Sequence, residues 1–175
     1  LETENRTATA GEQDTLSRYV GWGGIPQAFD STNERWSAEY AELKDLLTPA
    51  EYEAARSSTL TAFYTPATVI HPIYRALERF GVKGGKILEP SMGTGAFLAH
   101  GHFGSSDAKF YGVELDSITG RISKQLYQKA NIQVTGYENA LLPDNYFDCV
   151  IGNVPFGNFQ VNDPQYNRLH FPIHD

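Results

Sequence analysis

The second half of the chain alternates short apolar runs with segments of helical periodicity. Four runs predict strands, at Ile87 to Glu89, Phe110 to Glu114, Ile132 to Thr135 and Asp148 to Gly152. Helices are predicted between the first three runs, at Ala96 to His100 and Ser117 to Ala130. Because such alternation is typical of a parallel sheet with right-handed crossovers, the predicted fold class is α/β.

The first half shows helical spacing instead. Apolar residues predict one helix over residues 33–47, which we expect to begin with a capping box of Ser31 and Glu34. A second helix is predicted to begin at Thr48, with Glu51 completing its capping box. These patterns predict that helices precede the sheet.

A third helix is predicted to begin at Thr65-Pro66 and to end at Gly81. Its apolar stripe consists of Val69, Ile70, Ile73, Tyr74, Leu77 and Phe80. Upstream, the glycine-rich stretch around Trp22 predicts an irregular loop held by a packed tryptophan. We expect a flexible start over 1–14, a helical segment over 15–82, an α/β core over 83–157 and an irregular segment over 158–175.

Composition places the chain among globular proteins, since its 175 residues are 41% hydrophobic and 20% charged. Fourteen Lys and Arg against 21 Asp and Glu give a net charge of -7, which argues against a general phosphate-coating DNA binder. Cys149 is the single cysteine, which predicts a buried thiol and a reducing, cytoplasmic compartment. No apolar run approaches the roughly 20 residues of a membrane helix, so no membrane partner is expected.

Candidate ligand-binding residues follow the strands, because parallel sheets bind ligands at the carboxyl ends of their strands. A glycine-rich loop after the first strand lets a backbone approach a ligand, and its candidate binding residues are Glu89, Pro90, Ser91, Gly93 and Gly95. Leu98 occupies the place of the third glycine in the dinucleotide fingerprint, so a nicotinamide cofactor is disfavoured.

The second and third strands also end in polar residues. Glu114, with Leu115 after it, lies about 20 residues beyond the glycine loop, a spacing that suits an acceptor for two ribose hydroxyls. The alternative, a solvated helix-capping acid, fits Asp116 better. Asn139 and Ala140 follow the third strand, where contact with an adenine ring and an ordinary polar turn are equally compatible with the sequence.

The fourth strand is followed by Asn153, Val154, Pro155 and Phe156. Alone, Asn near Pro indicates a turn, but here it comes fourth in a series of strand-end signals. Two histidine pairs have loose metal-like spacing, His100 with His102 and His170 with His174. Because no cysteine or acidic ligand supports them, we predict no metal site.

With these four strand-end motifs in order, the sequence resembles the class I S-adenosylmethionine-dependent methyltransferases, and within them the N6-adenine DNA methyltransferases. The glycine loop is similar to their first motif, Glu114 to their ribose-binding acid, and residues 153–156 to their catalytic Asn-Pro-Pro-Tyr/Phe. Asn139 falls where the family often carries an Asp facing adenine. Phe63, Tyr64 and Thr65 resemble the element that closes over the methionine end of the cofactor.

The resemblance runs from about Thr61 to Gly157 and implies roles for the tetrapeptide. The side-chain oxygen of Asn153 and the carbonyl of Val154 would accept the hydrogens of the adenine amine, and Phe156 would stack on a flipped base. Val154 replaces the usual first proline, which keeps the carbonyl but loses the rigid ring. The family's sheet has more strands than the four predicted, so we expect an incomplete Rossmann-like sheet.

A closer resemblance covers most of the chain. Residues 19–30 and the helices that follow are similar to the start of large methylase-helicase fusions of phages and conjugative elements. The resemblance implies a helicase-like region in the same polypeptide and DNA as a partner of the full-length protein, in agreement with the absence of an initiating Met. Two alternatives stay open, namely a methyltransferase for an RNA base or glutamine amide, and a non-catalytic cofactor-binding module of a helicase fusion.

Overall fold

The structure, a computed structural model, describes residues 1–60, 64–101, 103 and 107–156. Its strands are β1 (Lys86–Glu89), β2 (Lys109–Glu114), β3 (Asn131–Val134) and β4 (Cys149–Val150). In the described part of the chain they form one parallel sheet in the order β3-β2-β1-β4. The predicted α/β class is confirmed, although β4 is shorter than the predicted run.

β1 lies inside the sheet, between β2 and β4. Its last three residues are buried, and Leu88 pairs with Tyr111 on one side and Val150 on the other. Cys149 is half-buried rather than fully enclosed, because β4 pairs only with β1 among the described strands. Burial nevertheless raises the pKa of its thiol.

Six α-helices surround the sheet or precede it in the described residues. They are α1 (Ala10–Leu16), α2 (Ser37–Leu46), α3 (Pro49–Ser58), α4 (Ala67–Arg79), α5 (Ala96–His100) and α6 (Ser117–Leu126). Short 3-10 turns cover Pro26–Phe29, Glu34–Trp36 and Tyr137–Asn139. Helices α4 and α5 contact each other, while α6 packs against β2 and β3.

The helical segment before the sheet has its own apolar cluster. Its buried members are Ala28, Phe29, Tyr52 and Ala55, and Trp22 packs against them, as the predicted tryptophan-held loop requires. Ile118 at the start of α6 also packs against this cluster. The helical segment therefore rests on the α/β core through α6.

The first residues differ from the expected loose start. Thr9 and Glu12 form a capping box on α1, and Arg6 pairs with Glu12 at 2.7 Å. The backbone N–H of Ala8 donates a 2.8 Å hydrogen bond to the side chain of Gln125 on α6. Local caps and these tertiary bonds give the segment a defined path that its polar sequence did not indicate.

Helix starts were predicted with mixed success. The capping box of Thr48 and Glu51 is confirmed on α3. The predicted box of Ser31 and Glu34 is wrong, because Asn33 caps the 3-10 turn that precedes α2. The predicted Thr65 cap is also wrong, since Pro66 occupies the cap position of α4 without a side-chain hydrogen bond.

Helix faces and ends also differ in places. In the α4 stripe, Ile70 and Tyr74 are buried, whereas Val69 in the first turn and Phe80 just after the last turn are exposed. Helix α6 ends at Leu126, earlier than predicted. Within the described ranges, none of the helices has the length and apolar character needed to cross a membrane.

Several predictions fall outside the described residues. They concern Phe63, Gly157, His102, His170, His174 and the segment 158–175.

Candidate active site

The loop between β1 and α5 depends on two glycines. Gly93 and Gly95 have φ angles of +53° and +77°, a region that favours glycine. Met92 fixes the loop to the neighbouring strand, because its backbone N–H donates a 2.9 Å hydrogen bond to the carbonyl of Val113. The loop is thus held against the end of β2.

Glu114 ends β2 and binds this loop directly. Its Oε2 accepts a 2.7 Å hydrogen bond from the backbone N–H of Gly93, and its Oε1 accepts one of 2.8 Å from Asp116. A carboxylate oxygen has two lone pairs, so each oxygen can accept a further bond from a ligand hydroxyl. The predicted ribose acid therefore has the acceptor capacity that the role needs.

Burial raises the pKa of Glu114, and the backbone N–H groups of Asp116 and Gly93 partly oppose that shift because they favour the charged form. Glu89, at the end of β1, is 3% exposed and buried more deeply. Burial, reinforced by the negative charge of Glu114, raises its pKa well above the ordinary 4.5.

The Oε2 atom of Glu89 has no hydrogen-bond partner among the described residues. No ion pair within residues 1–60, 64–101, 103 and 107–156 involves Glu89 or Glu114. Two neighbouring carboxyl groups, Glu89 buried with an unpartnered oxygen and Glu114 half-buried, favour a ligand that brings positive charge. S-adenosylmethionine carries a sulfonium and an ammonium group, so the carboxyl groups of Glu89 and Glu114 suit it as a ligand.

The candidate catalytic tetrapeptide begins beside the same loop. The N–H of Ile151 donates a 2.9 Å hydrogen bond to the carbonyl of Leu88, which extends the path of β4 along β1. A Cβ atom on Gly152 would lie 3.5 Å from the Cγ of Glu89, so Asn153 follows at the same end of the sheet.

Within the tetrapeptide, exposure differs between the residues. Asn153, Val154 and Pro155 are half-buried, and Phe156 is 66% exposed. The ring of Phe156 is thus accessible to solvent, and its stacking role stays a prediction.

Tyr64 lies against the glycine loop from outside the sheet. A Cβ atom on Gly93 would come within 2.5 Å of the Tyr64 ring, so only glycine admits this contact. Burial raises the pKa of Tyr64 to about 12, the nearby Glu114 adding to that shift. Thr65 is half-buried beside it.

The predicted adenine-facing residues lie in a more solvated corner. Asn139 is exposed and donates a 2.9 Å hydrogen bond from Nδ2 to Glu138, while Ala140 is half-buried. Leu115 is 74% exposed. The contacts at Asn139 are those of a polar turn, and its role towards the cofactor stays a prediction.

Two side chains at the C-terminal end of α6 hold the glycine loop and were not predicted from the sequence. Ser123 donates a 3.0 Å hydrogen bond to the carbonyl of Gly93, and Tyr127 donates one of 3.0 Å to Thr94. Ser123 lies on α6 four residues after Thr119, and Tyr127 follows directly after the helix ends at Leu126, so the four-residue spacing of 119, 123 and 127 was the signal in the sequence. Asp116 is 5% exposed, so the expectation of a solvated acid is wrong, although it caps α6 as predicted.

The structure therefore brings Gly93, Glu114 and Asn153 to the carboxyl edge of one sheet. Two clefts among the described residues lie elsewhere. One, of about 530 Å³, is lined by residues 80–85 with Asp107 and Asp148 at the amino ends of β1 and β4. The other, of about 340 Å³, lies between the N-terminal residues and α6.

Comparisons with known proteins agree with this geometry. A family model described as N-6 DNA Methylase matches residues 50–172. Defense against restriction protein B of Escherichia phage P1 is 30% identical over 118 residues, which are 66% of this chain and 5% of that protein. Modification methylase CviBIII of Paramecium bursaria Chlorella virus NC1A is 33% identical over 95 residues, which are 54% of this chain and 25% of that protein.

The chain thus spans a quarter or less of these two relatives. Among solved structures, a candidate RNA methyltransferase from Pyrococcus horikoshii aligns with a TM-score of 0.48 and 16% identity over 94% of this chain and 70% of that chain. With the family match and the parallel sheet, the predicted class I methyltransferase fold and S-adenosylmethionine as cofactor are confirmed. Since the family model covers well over half of its residues, the chain belongs to the N-6 DNA methylase family.

Proposed function

We propose that this chain is the cofactor-binding and catalytic region of a methyltransferase that methylates N6 of adenine in DNA. The observation that carries the proposal is the convergence of Gly93, Glu114 and Asn153 on one sheet edge. The family match and the likeness to a modification methylase support DNA as the substrate.

The cofactor, when bound, supplies an electrophilic methyl group on a sulfonium. Glu114 would accept the ribose hydroxyls through acceptor capacity that Gly93 and Asp116 leave open on its carboxylate. Glu89 and the loop residues Pro90, Ser91 and Gly95 would lie near the charged end of the cofactor, where positive charge would stabilise the carboxylate of Glu89 and oppose the raised pKa.

The remaining cofactor contacts come from two sides. Tyr64 and Thr65 would cover the methionine end from outside the sheet, and the same role is proposed for Phe63 from its sequence alone. Leu115, directly after β2, and Asn139 and Ala140, in and after the 3-10 turn that follows β3, would face the adenine ring.

At the acceptor side, the residues position an amine rather than attack it. The exocyclic amine of adenine is a poor nucleophile because its lone pair is shared with the ring. The side-chain oxygen of Asn153 and the carbonyl of Val154 accept its two hydrogens and orient the lone pair towards the methyl group. Phe156 stacks on the base after it leaves the duplex.

DNA is held by the full-length protein in this proposal. The net charge of -7 does not favour autonomous binding to phosphates by this chain. A helicase-like region in the same polypeptide would bring the duplex to the site, and the protein would act in the cytoplasm of a host cell.

Two measurements test the proposal. Calorimetry should show S-adenosylmethionine binding to this chain. The full-length protein should then form N6-methyladenine in DNA, as detected by mass spectrometry, and the Asn153→Ala variant should not. Methyl transfer to RNA or a glutamine amide with none to DNA would overturn the proposed substrate.

A further inference from the structure

The segment before the family match reaches the cofactor loop. The family model begins at residue 50, yet the ring of Tyr64 lies between Gly93 and Gly21. Gly21 has a φ of +73°, and a Cβ atom there would overlap the Tyr64 hydroxyl. The path of the chain at Gly21 therefore sets how closely Tyr64 can approach the glycine loop.

A second connection links the N-terminal helical segment to Glu114 through the hydroxyl groups of Tyr19 and Thr119. The hydroxyls of Tyr19 and Thr119 are 2.9 Å apart, and Thr119 donates a 2.6 Å hydrogen bond to Asp116. Because Thr119 has one hydroxyl proton and gives it to the carboxylate, Tyr19 must donate to Thr119. The N–H of Asp116 in turn holds Oε1 of Glu114.

Tyr19 is fixed on its other side by aromatic packing. Its ring meets Trp22 edge-on at 5.8 Å, and Trp22 meets Phe29 at 5.6 Å. Phe29 belongs to the buried cluster of the helical segment. A tyrosine hydroxyl keeps its proton at neutral pH, and burial raises the pKa of Tyr19 further, so this hydroxyl stays a donor.

We propose that Tyr19 and Gly21 are positioning residues of the cofactor site. Tyr19 orients Glu114 through Thr119 and Asp116, and Gly21 leaves room for Tyr64 against Gly93. The helical segment is then part of the cofactor pocket rather than an independent appendage. The inference rests on the proposed function, since it takes Glu114 and Tyr64 as cofactor contacts.

The first test removes one hydroxyl. Tyr19→Phe should weaken S-adenosylmethionine binding about threefold to tenfold, the range expected for one hydrogen bond, while the thermal unfolding midpoint changes little. Tyr146→Phe is the matched control, because the Tyr146 hydroxyl also lies 3.0 Å from another tyrosine hydroxyl, that of Tyr111. Tyr146 lies beside Lys86 at the start of β1, away from the loop.

The second test fills the space at Gly21. Gly21→Ala should weaken binding at least as much as Tyr19→Phe, whereas Gly81→Ala should not, because Gly81 also has a positive φ, of +93°, but a Cβ atom there would meet nothing within 4 Å. In a Tyr64→Ala background, Gly21→Ala should cost no further affinity, since the clashing ring is gone. An equal loss in both backgrounds would assign the effect to backbone strain instead.

The outcomes separate the two proposals. If wild-type protein binds the cofactor and both Tyr19→Phe and Gly21→Ala bind equally well, the positioning role is overturned and the proposed function stands. If wild-type protein does not bind, both are overturned. Should Gly21→Ala fail to fold, the conservative Tyr19→Phe variant decides the question alone.

Discussion

The backbone N–H of Gly93 lies 2.7 Å from Oε2 of Glu114, so the glycine loop and the acid of the neighbouring strand are already joined. A ligand that binds both therefore finds them in place. Preorganisation of this kind lowers the entropic cost of binding, because fewer groups must be ordered when the ligand arrives.

Replacement of Glu114 should weaken cofactor binding. Glu114→Ala removes a charged acceptor, worth about 1.5–3 kcal/mol per hydrogen bond, so affinity for S-adenosylmethionine should fall at least tenfold. Titration calorimetry measures the change. Glu39→Ala, on an exposed position of α2, serves as the control and should bind like wild type. If Glu114→Ala bound S-adenosylmethionine as tightly as wild type, Glu114 would not be the acceptor of the ribose hydroxyls.

Cofactor binding should release protons through Glu89. Its pKa lies well above 4.5 without ligand, and a bound cation lowers it, so affinity should rise as pH rises through the raised value. Calorimetry in buffers of different ionisation enthalpy counts the protons. Glu89→Gln should release fewer protons than wild type; an identical count would show that another group supplies them.

Glu89 should also make stability depend on pH. Its native pKa is raised, so its stabilising contribution is complete below the unfolded value near 4.5 and is lost as pH rises through the native value. A pKa that differs by one between the folded and unfolded protein corresponds to about 1.4 kcal/mol of unfolding free energy. In urea unfolding without ligand, Glu89→Gln should therefore gain stability relative to wild type across that window. A constant difference between the two proteins would contradict the assignment.

Replacement of Asn153 should abolish methyl transfer and leave cofactor binding unchanged. Asn153→Ala leaves Glu114 and the glycine loop intact, so cofactor affinity of this chain should stay within about twofold of wild type. Methylation of DNA by the full-length protein should be lost, because the amine loses an acceptor made for the transition state. Asn131→Ala, at the exposed start of β3, is the control. Residual activity near the wild-type level would exclude the proposed catalytic role.

Ser123 should support the loop from α6. Ser123→Ala leaves the partly buried carbonyl of Gly93 without its 3.0 Å donor, which should cost about 0.5–1.5 kcal/mol of unfolding free energy. Urea denaturation measures this loss. Ser57→Ala is the surface control, since Ser57 is exposed on α3. Equal stability of Ser123→Ala and wild type would mean that the loop does not need this bond.

Features with a local or periodic signal were predictable. The capping box of Thr48 and Glu51 lies within four residues, and the four strands follow from short apolar runs. The link between Gly93 and Glu114 was accessible from the parallel order of β1 and β2, because their carboxyl ends meet at one edge. Ser31 failed as a cap because the neighbouring Asn33 offers a competing side-chain acceptor.

Contacts between distant segments had no comparable signal. Tyr19 and Thr119 are 100 residues apart, and nothing in either local sequence specifies their meeting. The same holds for Tyr64 between Gly21 and Gly93, where only the assembled backbone shows why both positions exclude a side chain. Such pairings depend on tertiary packing of the helical segment, which hydrophobic spacing does not encode.

The contacts between α6 and the N-terminal residues affect how truncated variants of the protein should be designed. A fragment cut at residue 50, where sequence similarity to the family begins, would lose the partners of Gln125 and Thr119 and would strip one side of the helix that braces the loop. The family match therefore begins within a segment whose earlier residues already contact α6. Truncation libraries and protease mapping should therefore keep the N-terminal residues that contact α6.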